Sequence, residues 1–88
     1  MKIKAANILK VVDIDHLSIS EKTLSFFQNE AQATYMDTKL KEHIYNAEDV
    51  FDEYQEDENS DSEVLSELEV LLGLVNKHQA GYIRIVYN

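Results

Sequence analysis

The sequence predicts a small single α+β domain spanning residues 1–88, and three observations carry that prediction. Both ends of the chain are rich in β-branched residues that alternate with polar ones, and the middle repeats apolar residues at intervals of three and four. The chain has no proline and two glycines, so few positions force a break and long elements are expected. The architecture that follows is an N-terminal strand or hairpin, two acidic helices, and a C-terminal strand in a small antiparallel sheet.

Lys2 to Asp15 alternates imperfectly, with Ile3, Ala5, Ile8, Val12 and Ile14 facing inward, and suits one strand or two short ones. Ser18-Ile19-Ser20-Glu21 has the form of a capping box and predicts a helix start near Ile19 or Glu21. Leu24 to Met36 fits two patterns. Leu24, Phe27, Ala31 and Tyr35 fit a helix, whereas two β-rich segments about Asn29-Glu30 fit a hairpin. The β-branched and aromatic content after Asn29-Glu30 favours the hairpin, with Asp37-Thr38 starting the next helix.

From Leu40 the positions Leu40, Ile44, Ala47, Val50, Phe51 and Tyr54 put one apolar face on a helix of about four turns. Glu56 to Ser62 is too polar to bury and reads as an acidic loop, with Asp61 or Ser62 capping the following helix. Val64, Leu65, Leu68, Leu71, Leu72 and Val75 face that helix inward, and Gly81 follows its end. Val70 and Leu74 widen its apolar surface, so it is expected to be central in the fold, or else shared with a second copy in a homodimer. Gly81 to Tyr87 closes the chain as a strand, with Ile83, Ile85 and Tyr87 on one face, expected beside the N-terminal strand.

The hydrophobic fraction of 44% is enough for a folded chain despite a net charge of −9. With no cysteine there is neither a disulfide framework nor a cysteine zinc site, which fits a cytoplasmic protein. Lys2, Lys4 and Lys10 interrupt the apolar run an export signal needs, and Val70 to Val75 is far below membrane-spanning length, so no membrane association is expected.

Charge is divided unevenly. Residues 1–41 hold six lysines against five acids, whereas residues 42–76 hold twelve acids and no lysine or arginine. Like charges at helical spacing destabilise by a few tenths of a kcal/mol per pair, so the fold gains nothing from such a segment. Solubility is the plain explanation of an acidic run, but the absence of interspersed lysine points to a binding surface.

Catalytic and metal-binding patterns are weak. No cysteine nucleophile exists, glycines at 73 and 81 make no phosphate loop, and the serines have no histidine and acid in a recognisable arrangement, so no enzyme and no cofactor is expected. Asp13, Asp15 and His16 form a short cluster expected to be solvated, while His43 and His78 lack ligand partners. Asp57, Asn59 and Asp61 match the first ligands of a calcium loop and Val64 its apolar position. Ser62 and Leu68 stand where the glycine and the bidentate glutamate belong, so no metal site is expected. Direct nucleic-acid binding is opposed by the net charge despite eight aromatic residues.

Carboxylates three or four residues apart on a helix sit roughly 5–6 Å from one another, comparable with successive phosphates of a nucleic-acid strand. Asp49, Asp52, Glu53, Glu56, Asp57, Glu58, Asp61 and Glu63 form such a row and are the expected partner-binding residues. The expected function is an inhibitor that mimics nucleic acid and blocks the basic surface of a nucleic-acid-binding protein or nuclease. In size and charge the chain resembles phage anti-CRISPR and anti-restriction proteins, a likeness of composition alone. An immunity protein or antitoxin held against a basic toxin uses the same physics, and an assembly module with a merely solubilising acidic face is the third reading.

Overall fold

The fold is taken from a computed structural model that describes residues 2–7, 11–14 and 17–87. The elements run β1 (Lys2–Ala6), β2 (Val11–Asp13), α1 (Glu21–Asn29), β3 (Tyr35–Asp37), β4 (Glu42–Asn46), α2 (Ala47–Glu56), α3 (Ser62–Lys77) and β5 (Tyr82–Val86). The five strands form one antiparallel sheet in the order β2-β1-β5-β4-β3, so the α+β architecture holds. β5 lies at the centre, paired along its length with β1 on one side and β4 on the other.

The register explains which residues are buried. Ile3, Ile85 and His43 lie opposite one another across β1, β5 and β4, as do Ala5, Ile83 and Tyr45. These two rows share a face because side chains alternate along a strand. Ile3, Ala5, Ile83, Ile85 and Tyr45 are all buried there, joined by Phe27 of α1, Val50 and Tyr54 of α2, and Val64, Leu68, Leu71 and Val75 of α3. The other face carries Lys4, Arg84 and Ile44 in one row and Ala6, Tyr82 and Asn46 in the next. Ala6 is buried within the sheet, but none of the six packs into the cluster beneath the helices, so the three helices cover one side of the sheet.

The N-terminal segment forms two short strands. Ile3, Ala5 and Ile14 are buried and Val12 is half-buried, whereas Ile8, Asp15 and His16 lie outside the described residues. The expected pairing of the C-terminal strand beside the N-terminal one is present as β1–β5.

Two elements differ from the sequence expectation. Over Leu24 to Met36, where composition favoured a hairpin, the first half is α1, whose Thr23 and Phe27 are buried four residues apart. Its N-cap is Ser20, whose side chain accepts from the Thr23 amide. The hairpin sits further along as β3–β4, its turn fixed by Asp37 Oδ1, which accepts from the amides of Lys39 and Leu40 at 3.0 Å each. The helix expected from Leu40 begins only at Ala47, since residues 42–46 pair with β5 as β4. The spacing of Leu40 and Ile44 matched a helix, but pairing on both sides of β4 outweighed it, and Leu40 is exposed.

α3 is less central than its composition suggested. Val64, Leu68, Leu71 and Val75 form its buried stripe, while Val70 is 48% exposed and Leu74 only half-buried. Among the described residues, no helix is long and apolar enough to cross a membrane.

Candidate acidic interface

α2 lies against β4 and α3 along Ala47, Val50 and Tyr54, which leaves the opposite side to solvent. Asp49, Asp52, Glu53 and Glu56 occupy that exposed side at spacings of three and four, as the sequence predicted. The row starts at Asn46, which caps the helix through Oδ1 accepting from the Asp49 amide at 3.1 Å. Asp49 and Glu48 stand in the first turn, where the helix dipole favours negative charge. No basic residue stands in the last turn, so Glu56 and Asp57 there lack the compensation a helix end ordinarily carries.

Beyond α2 the chain turns tightly. Asp57 Oδ1 accepts from the Asn59 amide at 2.8 Å, and the Tyr54 hydroxyl accepts from the Asp61 amide at 2.7 Å, fixing the turn against α2. Asp61 then caps α3, its Oδ1 accepting from the amides of Glu63 and Val64. The calcium-like spacing is thus used for turn and cap, and no metal-holding group of side chains is found among the described residues.

The eight sequence-predicted residues divide into two sets. Asp49, Asp52, Glu53, Glu56, Asp57 and Glu58 are exposed and make no ion pair among the described residues. Asp61 and Glu63 share Lys22 of α1, whose Nζ lies 3.3 Å from Asp61 Oδ2 and 3.6 Å from Glu63 Oε2. Hydrogen bonds from the Glu63 amide and from Lys22 hold the Asp61 carboxyl below its ordinary value, and Asp61 in turn raises the Lys22 ammonium. Sequence reasoning missed Lys22 because it comes from a distant segment of the chain. It also passed over Glu30, which lines a cleft of about 270 Å³ together with Glu53, Asp57, Phe26, Val50 and Tyr54.

Two acids of the same run serve the fold. Glu42, 7% exposed, is held by Arg84 through both guanidinium Nε and Nη2, the latter at 2.9 Å. Glu67 reaches from α3 to the start of α1, accepting from the Ser20 amide at 2.6 Å, the Ser20 hydroxyl at 2.7 Å and the Thr23 hydroxyl at 2.5 Å. Burial works against its ionised form, but the bonds from Thr23 and Ser20 outweigh it and hold the carboxyl below its ordinary value. No local pattern separates these two from the solvent-facing acids.

No family model matches this chain, and neither a curated protein nor a solved structure matches it.

Proposed function

We propose that this protein is a binding protein rather than an enzyme, and that the exposed side of α2 and the turn after it occupy the nucleic-acid-binding surface of a basic protein such as a nuclease. The observation that carries this is the run Asp49, Asp52, Glu53, Glu56, Asp57 and Glu58, six exposed carboxylates with no ion pair among the described residues. Asp49, Asp52, Glu53 and Glu56 sit on one side of a helix packed to the core, so they are presented in a fixed row at roughly 5–6 Å spacing, and Asp57 and Glu58 follow in the turn. Such a surface speeds encounter with a groove lined by lysine and arginine, and its attraction falls with salt. Self-repulsion within the row costs the free protein stability that a cationic partner restores.

The test is capture of partners from the cytoplasm of the source cell at low salt and again at ~0.5 M salt, where the screening length is a few Å. A nucleic-acid-binding protein recovered at low salt and released by duplex DNA supports the function. A partner indifferent to both salt and DNA contradicts it.

A further inference from the structure

We propose that the partner surface extends from α2 around Thr34 onto the helix-free face of the sheet, where a neutral apolar patch takes an apolar or aromatic side chain flanked by the partner's lysines and arginines. This rests on the function proposed above. At the end of the sheet where β4 runs into α2, cross-strand pairing sets Tyr35 beside Ile44, Tyr82 beside Ala6, and Ala6 beside Val11. Tyr35 is 55% exposed and Val11 47%, and neither Ile44 nor Tyr82 packs against the core. A shallow depression of about 290 Å³ opens between Ala6, Asn7, Thr34, Ile44 and Tyr82.

The patch is continuous with the acidic surface. Thr34 lines this depression and also a second cleft together with Asp49 and Glu53. Asn46, opposite Tyr82 in the sheet, is the cap of α2, so the acidic row begins where the apolar patch ends.

Charge selects the occupant. Among the described residues, the cations in the adjoining row of the sheet are paired, Lys4 with Asp13 at 3.9 Å and Arg84 with Glu42, so that row adds little field and the patch favours apolar over charged groups. A second copy fits poorly, because joining two patches brings together two α2 N-termini with Glu48 and Asp49, each on a chain of net charge −9. A basic protein drawn in by the α2 carboxylates meets no such opposition. The two surfaces then divide the work: charges set the rate of encounter, and the desolvated apolar contact sets the lifetime.

The test uses two synthetic peptides of equal length and equal arginine content, one with a tryptophan where the other has glycine. Binding is followed by amide NMR shifts and by dissociation rate. Both peptides are expected to bind at low salt. The tryptophan peptide alone shifts the amides of Thr34, Tyr35, Ile44 and Tyr82 and dissociates about tenfold more slowly. Tyr35→Ser removes that difference and leaves the glycine peptide unaffected. Tyr35 is more than half exposed, so the variant folds, and the wild-type amide map stands without it. Equal dissociation rates with shifts confined to α2 overturn the patch and leave the acidic surface standing. Binding of neither peptide at low salt overturns both.

Discussion

Replacing Glu67 with alanine removes the acceptor that ties the start of α1 to the middle of α3. Three donors lose their partner, the Ser20 amide, the Ser20 hydroxyl and the Thr23 hydroxyl. Thr23 is fully buried and keeps only the longer 3.3 Å contact with the Ser20 hydroxyl, so losing its carboxylate acceptor costs about 1–3 kcal/mol, while water partly replaces the bonds to half-buried Ser20. The expected loss is about 2–4 kcal/mol, a large share of what a domain of this size has, and it lowers Tm by roughly 10–25 °C. Glu67→Gln keeps one acceptor oxygen and costs about 1–2 kcal/mol. The carboxyl of Glu67 lies below its ordinary value of 4.5 in the folded protein. Its contribution is therefore present above that value and is lost as pH falls through the depressed folded value. Urea melts from neutral pH down through the carboxylate range measure both effects. The gap between wild type and Glu67→Gln is expected to close at the acid end. A Glu67→Ala protein within about 0.5 kcal/mol of wild type at neutral pH, or a Gln gap that does not change with pH, would show that the Glu67 carboxylate does not tie α1 to α3.

Other expectations follow from the same geometry. Tyr45, fully buried, donates to the Phe27 carbonyl at 2.8 Å and is also bonded to Tyr87 and His43, so Tyr45→Phe should cost about 1–3 kcal/mol and speed amide exchange at the end of α1. Arg84→Met leaves buried Glu42 without its partner and should destabilise more than the double change Arg84→Met with Glu42→Leu, measured by denaturant melts. Gly81 has φ +95° with open space around its missing Cβ, so Gly81→Ala should cost about 1 kcal/mol from backbone strain alone, read as a Tm drop. Val70→Lys, on the exposed side of α3, should change stability by less than about 0.5 kcal/mol.

The two terminal strands and the last helix were legible because their patterns are local. Ile83 and Ile85 alternate as a strand requires, and Val64, Leu68, Leu71 and Val75 repeat as a helix requires. The middle of the chain was not, because its structure is settled by neighbours distant in sequence. Ile44 sits four residues after Leu40 and three before Ala47, a helical spacing, yet Tyr45 is buried opposite Ile83 and fixes the segment as a strand. Phe26 and Phe27 read equally as strand residues, but in α1 Phe27 packs edge-on against Tyr45 and Phe26 against Tyr54. The acidic row on α2 was readable from spacing alone. That Glu42 and Glu67 face inward was not, since their partners Arg84, Ser20 and Thr23 stand far along the chain.

In the proposed function the carboxylates of α2 make the contact with a basic partner. The most direct measurement is the affinity of the captured partner, across a range of salt, for wild type, for a triple variant Asp49→Lys, Glu53→Lys and Glu56→Lys, and for Leu74→Asp on α3. All three altered acids are exposed, so the triple variant is expected to remain folded. Wild-type binding is expected to weaken steeply with salt, charge reversal to abolish it, and Leu74→Asp to leave it intact. Binding that survives the reversal but is lost with Leu74→Asp would contradict the claim and make α3 the contact surface of an assembly module.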